Sequence, residues 1–217
     1  MSSHDDSLVP TVPDAALAGV LLLLAGGVSL LGIITAEALH PDYATTQEIS
    51  DLGSTIPPDP VSYEPTATIF NATMITTGVL VLLSAVFLYR SGARRVLSVP
   101  LAVFGAGVLG VGVFPGDVMP WHGIAALVTF TSGGIAAVLA SRAVSKPFAY
   151  LCLLLGGFSL ASLVYAIAIG PTGPLGDLEA GGIERWVAYP LLVWISGYGG
   201  YLMGATGDDP VRGRSRQ

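Results

Sequence analysis

Histidines and carboxylates beside the apolar segments are the side chains of this 217-residue chain that could do chemistry. His40 and His122 could supply imidazole nitrogens, and Glu48, Asp51 and Asp117 could supply carboxylate oxygens. Such a set can bind Zn²⁺ or another divalent metal ion, and a metal with an open coordination position can activate water. These five residues therefore permit a metal-dependent hydrolase or transferase. Because the sequence has no HxxxH or HExxH spacing, the metal site is the alternative, and the primary expectation is that the protein binds no cofactor.

The same region also permits a purely structural interpretation. Ser50, Asp51, Asn71, Asp117 and His122 could form a hydrogen-bonded polar cluster at one membrane face, because buried polar atoms generally require partners. The Asn71 amide has donors and an acceptor that can satisfy backbone groups of the preceding loop. A lipid head group is a further possible occupant of this outer polar cluster. No catalytic residue is assigned by the sequence.

The elements that must position these residues are apolar segments. Apolar residues make up 52% of the chain, charged residues only 11%, and the mean hydropathy is +0.70, values that indicate a membrane protein. Six runs have the roughly 20 residues that a helix needs to cross a bilayer. We therefore predict an all-α bundle of six transmembrane helices with short cytoplasmic loops and a longer, polar first outer loop. The predicted helices span about residues 15–36, 67–89, 96–114, 121–141, 147–169 and 186–204.

The bundle is predicted to be a single membrane domain over residues 14–205, with a polar N-terminus (1–13) and a basic tail (206–217). Eight of the nine basic residues fall on one side of it, which by the positive-inside rule is cytoplasmic. Both termini are then cytoplasmic, the location is the cell membrane, and Arg185 is the one basic residue on the outer side. The net charge of −6 argues against a nucleic-acid partner and would suit a high-salt environment. The eight are Arg90, Arg94, Arg95, Arg142, Lys146, Arg212, Arg214 and Arg216.

The first outer loop contains a segment that favours helix. Residues 43–52 are expected to form a short interfacial helix with Thr45 or Thr46 as its N-cap and Glu48 in its first turn. Residues 184–185 open the sixth apolar run, and His122 opens the fourth. Folding could bring these helix ends together around residues 48–51.

Four short segments carry a resemblance to a known family: residues 49–53 (ISDLG), 69–71 (IFN), 114–117 (FPGD) and 122–126 (HGIAA). On these segments, over roughly residues 15–204, the chain resembles DUF998, a prokaryotic family named as domain of unknown function nine-nine-eight. More distantly it looks like the eukaryotic Frag1/DRAM/Sfk1 membrane group. The resemblance implies a six-helix layout, and the eukaryotic group is associated with lipid-anchor remodelling, phospholipid distribution and autophagy regulation. Membrane lipids are therefore the implied partners.

Three functional classes follow from these observations. The leading one is a non-enzymatic, lipid-associated or scaffolding membrane bundle, because no complete catalytic constellation is present. The first alternative is the metal-dependent hydrolase or transferase at the outer face. The second is a small transporter, which the absence of charged residues at mid-depth in the apolar runs disfavours. The sequence assigns no protein partner and no oligomeric state.

Overall fold

The computed structural model describes residues 12–55, 63–92 and 95–206, and this part of the chain is all-α, with 81% of its residues in helices and no strand. The polar terminus 1–11, most of the basic tail, and Arg94 are outside the described residues. Six long helices are present: α1 Asp14–Leu39, α2 Thr66–Arg90, α3 Arg95–Val113, α4 Trp121–Ala140, α5 Phe148–Ala168 and α6 Glu179–Thr206.

Helices α1 to α5 are each long and apolar enough to cross a membrane. The predicted class, an all-α protein with several membrane-spanning helices, is confirmed by these five. Helix α6 is longer than any of them, at 28 residues. Its glycines and tyrosines make it less apolar, so it is not one of the five candidate spans.

The bounds of α1 to α5 agree with the predicted runs to within three residues at each end. Helix α6 differs, because it begins at Glu179 rather than near 186. The additional turns contain Gly181 and Gly182, which have low helix propensity. Contacts with the first outer loop, described below, fix this segment and outweigh its propensity.

The six helices form a closed ring in which each packs against its neighbours in the chain, and α6 returns to pack against α1. Helix α6 also reaches across to α4. Its inward face carries side chains at most 2% exposed, at spacings of three and four residues: Val187, Leu191, Trp194, Ile195 and Tyr198. Trp194 and Tyr198 are the two largest fully buried side chains of the described residues, so α6 contributes substantially to the core.

Buried hydroxyl groups connect neighbouring helices inside the bundle. The Ser29 and Thr77 hydroxyl oxygens are 2.9 Å apart between α1 and α2. The Ser84 hydroxyl donates to the Ala18 carbonyl at 2.9 Å. In a membrane such bonds stabilise a helix pair by about 0.6 kcal/mol on average. They therefore fix the relative positions of the helices more than they drive folding.

Two contacts define one end of the bundle. Asp14 at the start of α1 pairs with Arg90 at the end of α2 at 3.4 Å. The Ser145 backbone N–H, between α4 and α5, donates to the Tyr201 hydroxyl near the end of α6 at 3.0 Å. This end also contains Arg95, Arg142 and Lys146, and we call it the basic end. The first outer loop, which follows α1, lies at the opposite end.

Closure of the ring depends on the close approach of α1 and α6. A Cβ atom added at Gly199 would lie 2.5 Å from the Gly19 carbonyl oxygen and 2.6 Å from the Leu23 nitrogen. Both contacts are shorter than non-bonded atoms tolerate, so these backbones meet only because neither residue has a side chain. Gly200, the next residue, has open space around it.

We expect Gly199→Leu to separate α1 from α6 and lower the melting temperature in detergent by about 3–10 °C, because overpacking costs about 1–3 kcal/mol. Gly200→Leu is the matched control and should leave the melting temperature nearly unchanged. Equal melting temperatures for the two variants would contradict this account of the α1–α6 contact.

Candidate functional site

The first outer loop is organised by a short 3₁₀ helix, Ile49–Gly53. Glu48 is its N-cap, and the Asp51 carboxylate accepts the Glu48 backbone N–H at 3.1 Å in a capping box. Ile49 and Leu52, which are 3% and 0% exposed, insert into the core of the bundle. We call residues 40–55 the polar lid. The expected helix over 43–52 with a threonine cap was wrong, because Glu48 and Asp51 satisfy the backbone N–H groups only from residue 48 onward.

Arg185 of α6 connects the polar lid to this helix through hydrogen bonds. Its guanidinium donates to the Glu37 carboxylate at 2.6 Å and to the Tyr43 hydroxyl at 2.7 Å. It also donates at 2.9 Å to three backbone carbonyl oxygens, those of Thr45, Gln47 and Gly181. The Arg185 side chain is only 11% exposed, and charge-assisted bonds of this kind are about twice as strong as neutral ones. One side chain therefore joins the end of α1, the lid and the start of α6.

A glycine allows the lid to approach α6 this closely. The Gly181 backbone N–H donates to the Thr46 carbonyl at 2.8 Å. A Cβ atom at Gly181 would overlap the Gln47 carbonyl oxygen. The early start of α6 is thus explained by a lid contact that only glycine permits.

The other end of the lid is held by α2 and by the turn between α3 and α4. The Asn71 side-chain amide donates to the Gly53 carbonyl at 2.9 Å. The Asp117 carboxylate accepts the Thr55 backbone N–H at 2.9 Å. Both side chains therefore satisfy backbone groups of the lid, which is the kind of bond that the sequence indicated for Asn71.

His122 lies in the first turn of α4 and is 6% exposed. Its Nδ1 lies 2.7 Å from the Phe114 carbonyl oxygen. A carbonyl only accepts hydrogen bonds, so Nδ1 carries the hydrogen, and in the neutral ring Nε2 has a lone pair. Within the described ranges, no residue hydrogen-bonds to Nε2. His122 therefore has one nitrogen fixed by the fold and one available to a ligand.

Glu184 completes this end of the bundle. Its carboxyl group, two residues before the predicted sixth span, accepts the backbone N–H groups of Ile49 and Ser50. The pKa of Glu184 is raised to about 8, chiefly by burial and also by the negative charges of Glu48 and Asp51. Glu184 was absent from the predicted outer polar cluster. The signal that pointed to it was its place beside Arg185 at the opening of the sixth apolar run.

These groups surround a cleft of about 360 Å³ between α4, α5 and α6 at the lid end. The cleft has a polar floor formed by Glu48, Ser50, Asp51, His122 and Glu184. Its wall is apolar and includes Phe130, Leu163, Ala166, Ile183 and Val187. A smaller interior cavity of about 70 Å³ shares Ser50, His122, Phe130 and Glu184 with the cleft. The arrangement places a carboxylate-rich floor directly against apolar helix surfaces.

The structure separates the predicted site residues into three groups. Ser50, Asp51 and His122 line the cleft, whereas Asn71 and Asp117 hold the lid without lining it. His40 lines neither cavity, and its ring lies 5.8 and 5.4 Å from those of Tyr43 and Tyr63.

The residues of the metal alternative are not gathered into one ligand set. Among the described residues, no three His, Cys, Asp or Glu side chains are placed to hold a metal ion. Glu48, Asp51 and His122 share the cleft, but Asp117 and His40 are engaged elsewhere.

Comparison with protein families gives one match. The sequence model of a family described as "Protein of unknown function (DUF998)" matches residues 23–200, most of the chain. No curated protein and no solved structure matches the chain.

The Arg185 contacts predict a large loss of stability when the guanidinium is removed. Arg185→Gln leaves the Glu37 carboxylate and three carbonyls without their donor, and breaking such a buried pair costs about 3–5 kcal/mol. We expect the melting temperature in detergent to fall by roughly 10 °C. Arg185→Lys should restore little, because one ammonium cannot reach five acceptors.

Arg142→Gln at the basic end is the matched control, because Arg142 is an exposed arginine with no part in the lid. A melting temperature for Arg185→Gln as high as that of this control would show that the lid is held by other contacts.

Proposed function

The chain belongs to DUF998, a family of proteins of unknown function, and from its cleft we propose that it holds a membrane lipid or similar amphiphile without chemically converting it. The observation that carries this proposal is the cleft of about 360 Å³, whose floor is polar and whose wall is apolar. Binding sites for small molecules commonly have volumes of about 300–1,000 Å³ and combine apolar walls with a few placed polar groups.

The position of the cleft in the bundle favours an amphiphile over a water-soluble ligand. Its wall uses Phe130 of α4 and Leu163 and Ala166 of α5, two helices that are candidate membrane spans. A polar head at Ser50 and His122 would have its alkyl chain beside these residues, at the depth where hydrocarbon is the solvent. The likeness of residues 49–53 and 122–126 to the lipid-associated Frag1/DRAM/Sfk1 group belongs to the same proposal.

The proposal includes six spans, with α6 as the last, in the cell membrane. At 28 residues, α6 is about 42 Å long, enough to cross a bilayer at about 1.5 Å per residue. Its start is bonded to the lid through Arg185, and its end is bonded to Ser145 at the basic end. These contacts at both ends of the bundle support a sixth crossing. The basic end faces the cytoplasm, with both termini, and the polar lid faces outward.

This topology predicts which positions are accessible from outside the cell. In a Cys152→Ser background, single cysteines at Asp42 and Asp177 should react with a membrane-impermeant maleimide on intact cells. Cysteines at Arg142 and Ala205 should react only after permeabilisation. All four positions are exposed in the fold, so burial does not protect them. Labelling of Asp177→Cys and Ala205→Cys from the same side would show that α6 does not cross the membrane.

The cleft predicts where an amphiphile is held. We expect twelve-carbon amphiphiles with a photoreactive diazirine in the chain to label α4 and α5 at Phe130 and Leu163, when the protein is in nanodiscs and the adducts are mapped by mass spectrometry. Ala166→Phe fills the cleft and should reduce these adducts at least about tenfold, equivalent to about 1.4 kcal/mol.

Ile167→Phe is the control for this experiment, because Ile167 is the next residue and is 68% exposed on the outside of α5. Adducts spread evenly over the outer surface of the bundle, or equally abundant in both variants, would count against a lipid-holding cleft.

A further inference from the structure

We propose that the cleft selects amphiphiles whose polar head is a primary ammonium group. This inference rests on the proposed function and names the ligand class of the same site. It follows from the acidic side chains of the cleft floor, the engagement of Arg185 elsewhere and the hydrogen bonding of His122.

The cleft floor is acidic and rich in hydrogen-bond acceptors. Three carboxyl side chains, those of Glu48, Asp51 and Glu184, line it together with Ser50 and His122. No Lys or Arg is among the described residues that line the cleft. An anionic head such as a carboxylate or a phosphate would meet like charge there, which costs binding energy.

The basic residue that follows Glu184 in the sequence does not line the cleft. Arg185 follows Glu184 in α6, but its guanidinium points to Glu37, Tyr43 and the lid carbonyls. The electrostatic consequence is visible at Glu184, whose pKa is raised by burial and by the neighbouring acids Glu48 and Asp51. A ligand cation at the floor would relieve this repulsion and favour the ionised carboxylate.

His122 gives an independent indication of a ligand. The ring is more than nine-tenths buried, lines the cleft, and has its Nδ1 hydrogen bonded to the Phe114 carbonyl. In the neutral ring Nε2 is then an acceptor, and no described residue donates to it. A donor on a ligand in the cleft could therefore bond to this nitrogen.

A primary ammonium group fits this set of acceptors better than a metal ion does. It has three donors, enough for His122 Nε2 and two carboxylates, and it tolerates longer distances than metal coordination at about 2 Å. The described side chains include no group of three that could ligate a metal ion. The apolar wall at Phe130 and Leu163 then receives the alkyl chain.

The test compares three twelve-carbon diazirine amphiphiles that differ only in their heads: a primary amine, a glycerol monoester and a sulfonate. Labelling of Phe130 and Leu163 is measured against concentration in nanodiscs of zwitterionic lipid at about pH 9, above the pKa of about 8 of Glu184, so that most of this carboxyl group is ionised. We expect the amine to reach half-saturation at a concentration at least about tenfold lower than the glycerol ester, with the sulfonate weakest.

Two variants remove charge from the floor. Glu48→Gln changes an exposed acid of the floor, and Glu184→Gln keeps an acceptor for the Ile49 and Ser50 N–H groups. Each should weaken amine labelling at least about tenfold more than it weakens glycerol-ester labelling. Asp177→Asn is the matched control, because Asp177 is an exposed acid at the same end of the bundle that does not line the cleft.

Equal labelling by the amine and the glycerol ester would overturn the ammonium proposal while leaving the amphiphile cleft in place. An amine preference that persists in both Glu48→Gln and Glu184→Gln would also overturn it. Failure of all three amphiphiles to label the cleft would refute the proposed function as well.

Discussion

The lid end of the bundle depends on the hydrogen bonds of the Arg185 guanidinium, which connect α1, the lid and α6. One planar cation holds the Glu37 carboxylate at the end of α1 and three backbone carbonyls, two in the polar lid and one in α6. These segments are far apart in sequence, so ordering them carries a large loop-closure cost that several charge-assisted bonds at one point offset. With the lid fixed, Glu48 and Asp51 are held over the space between α4, α5 and α6. The Arg185 contacts therefore help to position the cleft floor, together with the bonds from Asn71, Asp117 and Glu184 to the lid backbone.

The lid end also shows an unequal distribution of charge. Arg185 forms an ion pair with Glu37. It forms no such ion pair with the described floor acids Glu48, Asp51 and Glu184. The floor acids are capped by backbone N–H groups, as Asp51 is by that of Glu48 and Glu184 by those of Ile49 and Ser50. Backbone donors therefore hold both carboxyl groups in place at the cleft.

The sequence predicted α1 to α5 well, because long apolar runs bounded by charge or proline leave few alternatives in lipid. The start of α6 was mispredicted, because the segment around Gly181 is helical for a tertiary reason, its contact with the Gln47 carbonyl. Asn71 and His122 could be singled out as polar residues at the ends of apolar runs. The sequence marked Arg185 only as the one basic residue on the outer side. Nothing in the neighbouring sequence indicates that it binds a backbone carbonyl 140 residues away.

Because Arg185 binds backbone carbonyls of the lid, its contacts depend little on which side chains the lid carries. Arg185 bonds to the backbone carbonyl oxygens of Thr45 and Gln47. Every amino acid has this carbonyl oxygen, whatever its side chain. Among the partners of Arg185, only Glu37 and Tyr43 contribute side chains. The outward side chains of the lid are thus open to replacement by probes, tags or altered surface charge, provided that the path of the backbone is kept.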